Sequence, residues 1–138
     1  MKKFIKIFYW SPSLVNIATN DAVINSAYSM SRYDDIYDTY IFNFFGEFER
    51  FRKKILDKNI KMIDYFNKSI FNILPKHGKI QSRISFIIIF FMSFFPLKKI
   101  LKKNKPDYLI IHLITSLPLI LLILFNFETK FILRISGY

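Results

Sequence analysis

Apolar residues in this chain fall into short dense runs separated by polar and basic stretches. Their spacing alternates between the period of a strand and the period of a helix. Phe4 to Trp10 is an apolar and aromatic run broken only by Lys6, the pattern of a strand covered on both faces. Ser11-Pro12-Ser13 closes it with a turn. Thr19, Asn20 and Asp21 are all residue types that cap helices. Val23, Ala27 and Met30, with Ile24 and Tyr28 beside them, then recur at helical spacing as far as Tyr33-Asp34-Asp35. Thr39 to Phe45 reads as a second strand by composition, ended by Gly46. Phe48 to Lys58 reads as a charged, mildly amphipathic helix. Ile60 to Phe66 reads as a third strand, although a helix also fits it.

Asn67 to Ser82 contains Pro75 and Gly78 and reads as loop. Ile84 to Leu97 is then almost wholly apolar, and Lys98, Lys99, Lys102, Lys103 and Lys105 follow. Pro106-Asp107 marks a boundary before a fourth buried strand, Tyr108 to His112. Thr115-Ser116 can cap a very apolar helix, Leu117 to Phe125, with Pro118 tolerated in its first turn. Lys130 to Ile135 reads as a fifth strand, stopping at Ser136-Gly137-Tyr138. Strand and helix alternate, which predicts an α/β fold: a Rossmann-like three-layer sandwich around a mostly parallel sheet.

Composition narrows the function. With 138 residues, 52% of them hydrophobic, the chain can bury one real core. It has no cysteine, which excludes disulfides, thiolate nucleophiles and cysteine zinc sites. The two histidines, His77 and His112, lie too far apart in sequence for a metal-ligand motif. No phosphate-cradling Gly-Lys-Thr loop and no hydrolase nucleophile elbow is present. The formal charge of +11 favours phosphate-bearing partners. Its lysines flank apolar runs rather than polar arms, so an anionic membrane surface fits better than nucleic acid, and none of the latter is expected.

Four stretches, taken in order, resemble the N-terminal domain of the group 1 nucleotide-sugar-dependent glycosyltransferases, a family-4-like group with two-domain GT-B architecture. They are KIFYWSPSL with the helix NDAVINSAYSM, TYIFNFFGEF, KPDYLIIHLITSLPLILL, and FILRISGY. The stretch Ser11 to Asn20 departs from that family in having no glycine. The resemblance implies that residues 1–138 form the acceptor-side half of such an enzyme, incomplete at the C-terminus and without its donor-binding domain. The whole enzyme would use a nucleotide-diphosphate sugar as co-substrate and no cofactor in this domain. It would glycosylate a saccharide or lipid-linked acceptor in cell-envelope polysaccharide synthesis, in the cytoplasm at the inner face of the cytoplasmic membrane.

The resemblance places a functional histidine at His112, at the sugar end of the cleft. Ser11, Ser13, Thr19 and Asn20 are acceptor-side candidates, with plain turn and cap chemistry as the competing reading. Thr115 and Ser116 either meet a ligand at a helix start or simply cap it. Arg134 in an apolar strand requires a partner, from the fold or from substrate. Glu47 and Glu49 read as a solvated, acidic helix start.

The 14 residues from Ile84 to Leu97 would reach roughly 21 Å as a helix, short of a ~30 Å hydrocarbon core. They therefore read as an apolar helix that lies in the membrane interface or packs partly against the sheet. Phe90, Phe91, Phe94 and Phe95 would meet the acyl region, and Lys98, Lys99, Lys102 and Lys103 the headgroups. The alternative is a small membrane protein without enzymatic activity, whose Ile84–Leu97 and Tyr108–Phe125 segments pair as a hairpin.

Overall fold

The computed structural model describes residues 4–13, 18–66, 70, 73–75, 78–112, 116–125 and 127–134. Five strands form one sheet in the order β3-β2-β1-β4-β5. They are β1 (Ile5–Trp10), β2 (Tyr37–Asn43), β3 (Lys61–Asp64), β4 (Tyr108–His112) and β5 (Lys130–Arg134). Every pairing is parallel. The helices are α1 (Ala18–Tyr33), α2 (Arg52–Asp57), α3 (Lys79–Asn104) and α4 (Ser116–Leu124), with a 3₁₀ turn at Glu49–Phe51.

Alternation along β1 explains the layering. Ile7 and Tyr9 join Val23, Ile24 and Ala27 of α1, and Ile55 of α2, in one core. Phe8 and Trp10 face the opposite way, into a second core with Leu97 and Leu101 of α3 and Leu117 and Leu121 of α4. Ile7 to Trp10 is apolar on both faces, so this part of β1 needs cover on both sides, which the helices supply. The result is the Rossmann-like three-layer sandwich. Aromatic edges fill the α3 side, with Phe8 4.7 Å from Tyr40 and 5.2 Å from Phe42 between ring centroids.

Asp107 joins three strands at the N-terminal edge of the sheet. Its carboxylate accepts from the Lys6 backbone N–H at 2.8 Å, its own N–H donates to the Lys6 carbonyl, and its carbonyl accepts from Lys130. The Pro-Asp boundary in the sequence is therefore a seam between β1, β4 and β5.

Several expectations require correction. Helix α3 begins at Lys79, inside the stretch read as loop, and runs through the lysine tract to Asn104. At 26 residues it is ~39 Å long. It contains Pro96 and ends at Lys105, which takes a left-handed conformation (φ 42°) just before Pro106. Tyr108–Phe125 is not one span: its first five residues form a strand paired on both sides, and a separate helix follows. The hairpin alternative loses its second helix. Thr19, Asn20 and Asp21 lie within α1 rather than ahead of it. Strand β2 runs from Tyr37 to Asn43, two residues earlier than its composition suggests. The helix expected over Phe48 to Lys58 is a 3₁₀ turn followed by six helical residues.

Candidate functional site

Strand order reverses at β1: β2 and β3 lie on one side of it, β4 and β5 on the other. In an open parallel sheet the carboxyl ends of strands at such a switch point form a crevice. Here those ends are Trp10-Ser11 and Ile111-His112, since Trp10 pairs with Ile111. Along β4, Leu109 and Ile111 enter the α3 core, whereas Tyr108 and Ile110 pack on the α1 side. Alternation therefore sets His112 toward α1. Arg134 lies opposite His112 in the β4–β5 register and on the same face. The crevice is thus built at the ends of three adjacent strands, on the α1 side.

The polar groups gathered there are buried and under-satisfied. Ser11 is 0% exposed, Asn20 0% and His112 4%. Ser11 Oγ, Asn20 Nδ2 and His112 Nε2 have no hydrogen-bond partner among the described residues, and neither does Trp10 Nε1 on the other face of β1. Folded proteins leave few such atoms unpaired, because each costs on the order of 1–3 kcal/mol. Among the described residues, the internal bond in the group runs from Ser13 Oγ to Asn20 Oδ1 at 2.9 Å, tying the loop after β1 to the first turn of α1. It uses the carbonyl end of the amide and leaves the NH₂ end free to donate.

His112 is held neutral. Burial, and then the nearby Arg134 charge, push its pKa down from 6.5 to about 4. A neutral imidazole suits hydroxyl groups as donor or acceptor and does not attract anions. Arg134 is exposed, not buried as its apolar strand suggests, and its charge reaches His112. Thr19 is half-buried in α1. Thr115 lies outside the described residues, as do His77 and Ser136–Tyr138; Ser116 is described only as the first residue of α4.

Sequence reasoning missed Glu47. Far from being solvated, it is 2% exposed. Gly46, at φ 88°, turns the chain back, so that Glu47 Oε1 and Oε2 accept the backbone N–H groups of Phe44 and Phe45. Burial pushes its pKa up to about 7 against the opposing pull of those hydrogen bonds. Beside it, Asn43 Oδ1 accepts the Phe48 N–H at 3.0 Å, and Asn43 Nδ2 donates to Asp64 at 2.7 Å. Arg52 closes the group on Glu49 and Asp64 at 2.7 and 2.8 Å. Only the Gly that permits the reversal is visible in the sequence. This cluster fixes the loop leaving β2 and puts no unpaired polar atom into the crevice.

Two other clefts, of about 310 and 340 Å³, open at the N-terminal edge of the sheet, away from His112. No group of three or more metal-binding side chains occurs among the described residues. Compared with known proteins, the chain matches no family model, no curated protein and no solved structure.

Proposed function

We propose that the crevice at the ends of β1 and β4 binds a saccharide, and that the chain is the acceptor-side domain of a glycosyltransferase. The observation that carries this reading is the set of buried, unpaired polar atoms on Ser11, Asn20 and His112 at the switch point. Hydroxyl groups are both donors and acceptors, so a sugar can satisfy a hydroxyl, an amide NH₂ and a neutral imidazole together. Such a site also rejects ligands that lack the hydroxyl, because its own groups are then left unpaired.

In this reading His112 Nε2 meets a hydroxyl near the transferred sugar, and Arg134 meets a phosphate on the donor or on a lipid-linked acceptor. A nucleotide-diphosphate sugar would be the donor, held mainly by a second domain. Rate enhancement would come from positioning and from stabilising the leaving diphosphate. The order of segments that resembles group 1 glycosyltransferases supports the assignment, with envelope polysaccharide as the product class.

The test is a titration of the isotope-labelled chain with neutral disaccharides and with sugar phosphates, followed by amide NMR. Shifts centred on Ser11, Asn20 and His112, lost in His112→Ala, are expected. Shifts caused equally by a nucleotide without a sugar would reassign the crevice to nucleotide. No response to any saccharide would remove the reading.

A further inference from the structure

We infer that α3 and α4 form a docking face for an anionic lipid bilayer, on which the protein lies without crossing it. Ile84, Ile87, Phe91 and Phe95 are all exposed, Phe91 and Phe95 by 68% and 71%. At 100° per residue these positions fall on one stripe of the helix. Leu119, Ile123 and Leu124 of α4 are exposed too, Ile123 by 83%. The two helices pack together, and Phe94, past the middle of α3, meets Phe125, just after the end of α4. A soluble surface seldom leaves so large an apolar patch uncovered.

Charge identifies the occupant. Lys98 and Lys102 continue the apolar stripe toward the C-terminus of α3, and Lys99 flanks it. Neither α3 nor α4 contains an acidic residue. A second copy of this chain would bring two basic faces together with no acidic residue on α3 or α4 to offset them, whereas acidic headgroups complement the lysine end of the ridge. Lys98 Nζ sits 3.8 Å from the Phe125 ring centroid, so the basic end and the apolar ridge are one continuous surface.

The helix is long and apolar enough to cross a bilayer. It is not free to do so. Its inner face carries Ile89, Leu97 and Leu101, which belong to the core against β1 and β4, together with the buried hydroxyls of Ser85 and Ser93. Withdrawing α3 from the sheet would uncover that core. The structure also divides the four phenylalanines expected at the membrane. Phe91 and Phe95 point outward, while Phe90 and Phe94 are half-buried and pack toward the core. The docking face is thus Ile84, Ile87, Phe91 and Phe95 with the outer residues of α4. It does not depend on what fills the crevice, which opens on the opposite face of the sheet.

The experiment is co-flotation with phosphatidylcholine vesicles, with and without phosphatidylglycerol. Recovery should require the anionic lipid and fall with salt. Phe91→Ser with Phe95→Ser should lower partitioning by about tenfold or more, and so should Lys99→Glu with Lys102→Glu. Both variants change exposed residues and should keep the native circular dichroism spectrum. Phe90→Ser, by contrast, should lower stability. Equal recovery on neutral vesicles overturns the proposal. So does resistance to alkaline carbonate extraction, which would mean insertion. A dimer in solution that Phe91→Ser dissolves would assign the face to a second copy instead.

Discussion

His112 stands directly opposite Arg134 across the β4–β5 pair, and the guanidinium helps to keep the imidazole uncharged. Burial is the larger of the two causes. An NMR titration of the imidazole should therefore give a midpoint near 4. Arg134→Gln should raise that midpoint only part of the way toward 6.5, because burial remains. An ordinary midpoint in the unchanged protein would refute the account of the crevice as a neutral site.

The same imidazole and the buried carboxyl of Glu47 should pull stability in opposite directions. His112 has a folded pKa depressed from 6.5 to about 4, so the folded state resists protonation. Its effect destabilises as pH falls from 6.5 toward 4. Glu47 has a folded pKa raised from 4.5 to about 7, so its stabilising effect is full below 4.5 and is lost as pH rises through 7. Each amounts to about 3 kcal/mol at most, and between pH 4.5 and 6.5 they offset each other. Relative to the unchanged protein, Glu47→Gln should gain stability as pH rises across that window, and His112→Asn should lose it. Urea midpoints at the two ends of the window measure both slopes. Slopes of the same sign would contradict the assignment.

Ser11 offers a way to separate binding from folding. Its hydroxyl is buried and has no partner among the described residues. Ser11→Ala removes an unsatisfied group, so the melting temperature should hold or rise, within about 1 kcal/mol. Saccharide binding should weaken at the same time. A loss of stability without a loss of binding would mean that the hydroxyl serves the fold alone.

Around the β2 exit loop, burial should decide which polar residue matters. Asn43→Ala orphans the N–H of Phe48, a fully buried residue, and should cost about 1–3 kcal/mol in chemical denaturation. Arg52→Ala breaks two shorter ion pairs, but its side chain is 36% exposed and the carboxylates it meets are 52% and 45% exposed. It should cost under about 1 kcal/mol. The reverse ranking would show that the ion pairs, and not the backbone accounting, hold the loop.

Strand β4 was legible to the residue, because Tyr108 to Ile111 is a short apolar run fenced by Pro106-Asp107 on one side and closed by His112 on the other. Strand β1 was legible for the same reason. The start of α3 was hidden by its first turn, Lys79 to Arg83, which carries no apolar periodicity and follows Gly78. Its lysine tract read as a separate segment because charge interrupts the apolar run, yet backbone hydrogen bonding continues regardless. His112 could be singled out from the sequence as a strand-end histidine. Its neutrality could not, since that rests first on burial at the strand end and then on Arg134, which reaches it only through the register of β5. Glu47 was misread because its partners are backbone N–H groups, which leave no trace in side-chain composition.

Strand β1 draws its two edges from distant parts of the chain, Tyr37 to Ile41 on one side and Tyr108 to Ile111 on the other. During synthesis it can pair with β2 soon after both emerge. Its other edge must wait until α3 has been made and β4 has left the ribosome. For that interval, an apolar segment stands half-open, a target for chaperones and for misassembly. The pace of translation through the α3 segment thus sets how long the centre of the sheet is vulnerable.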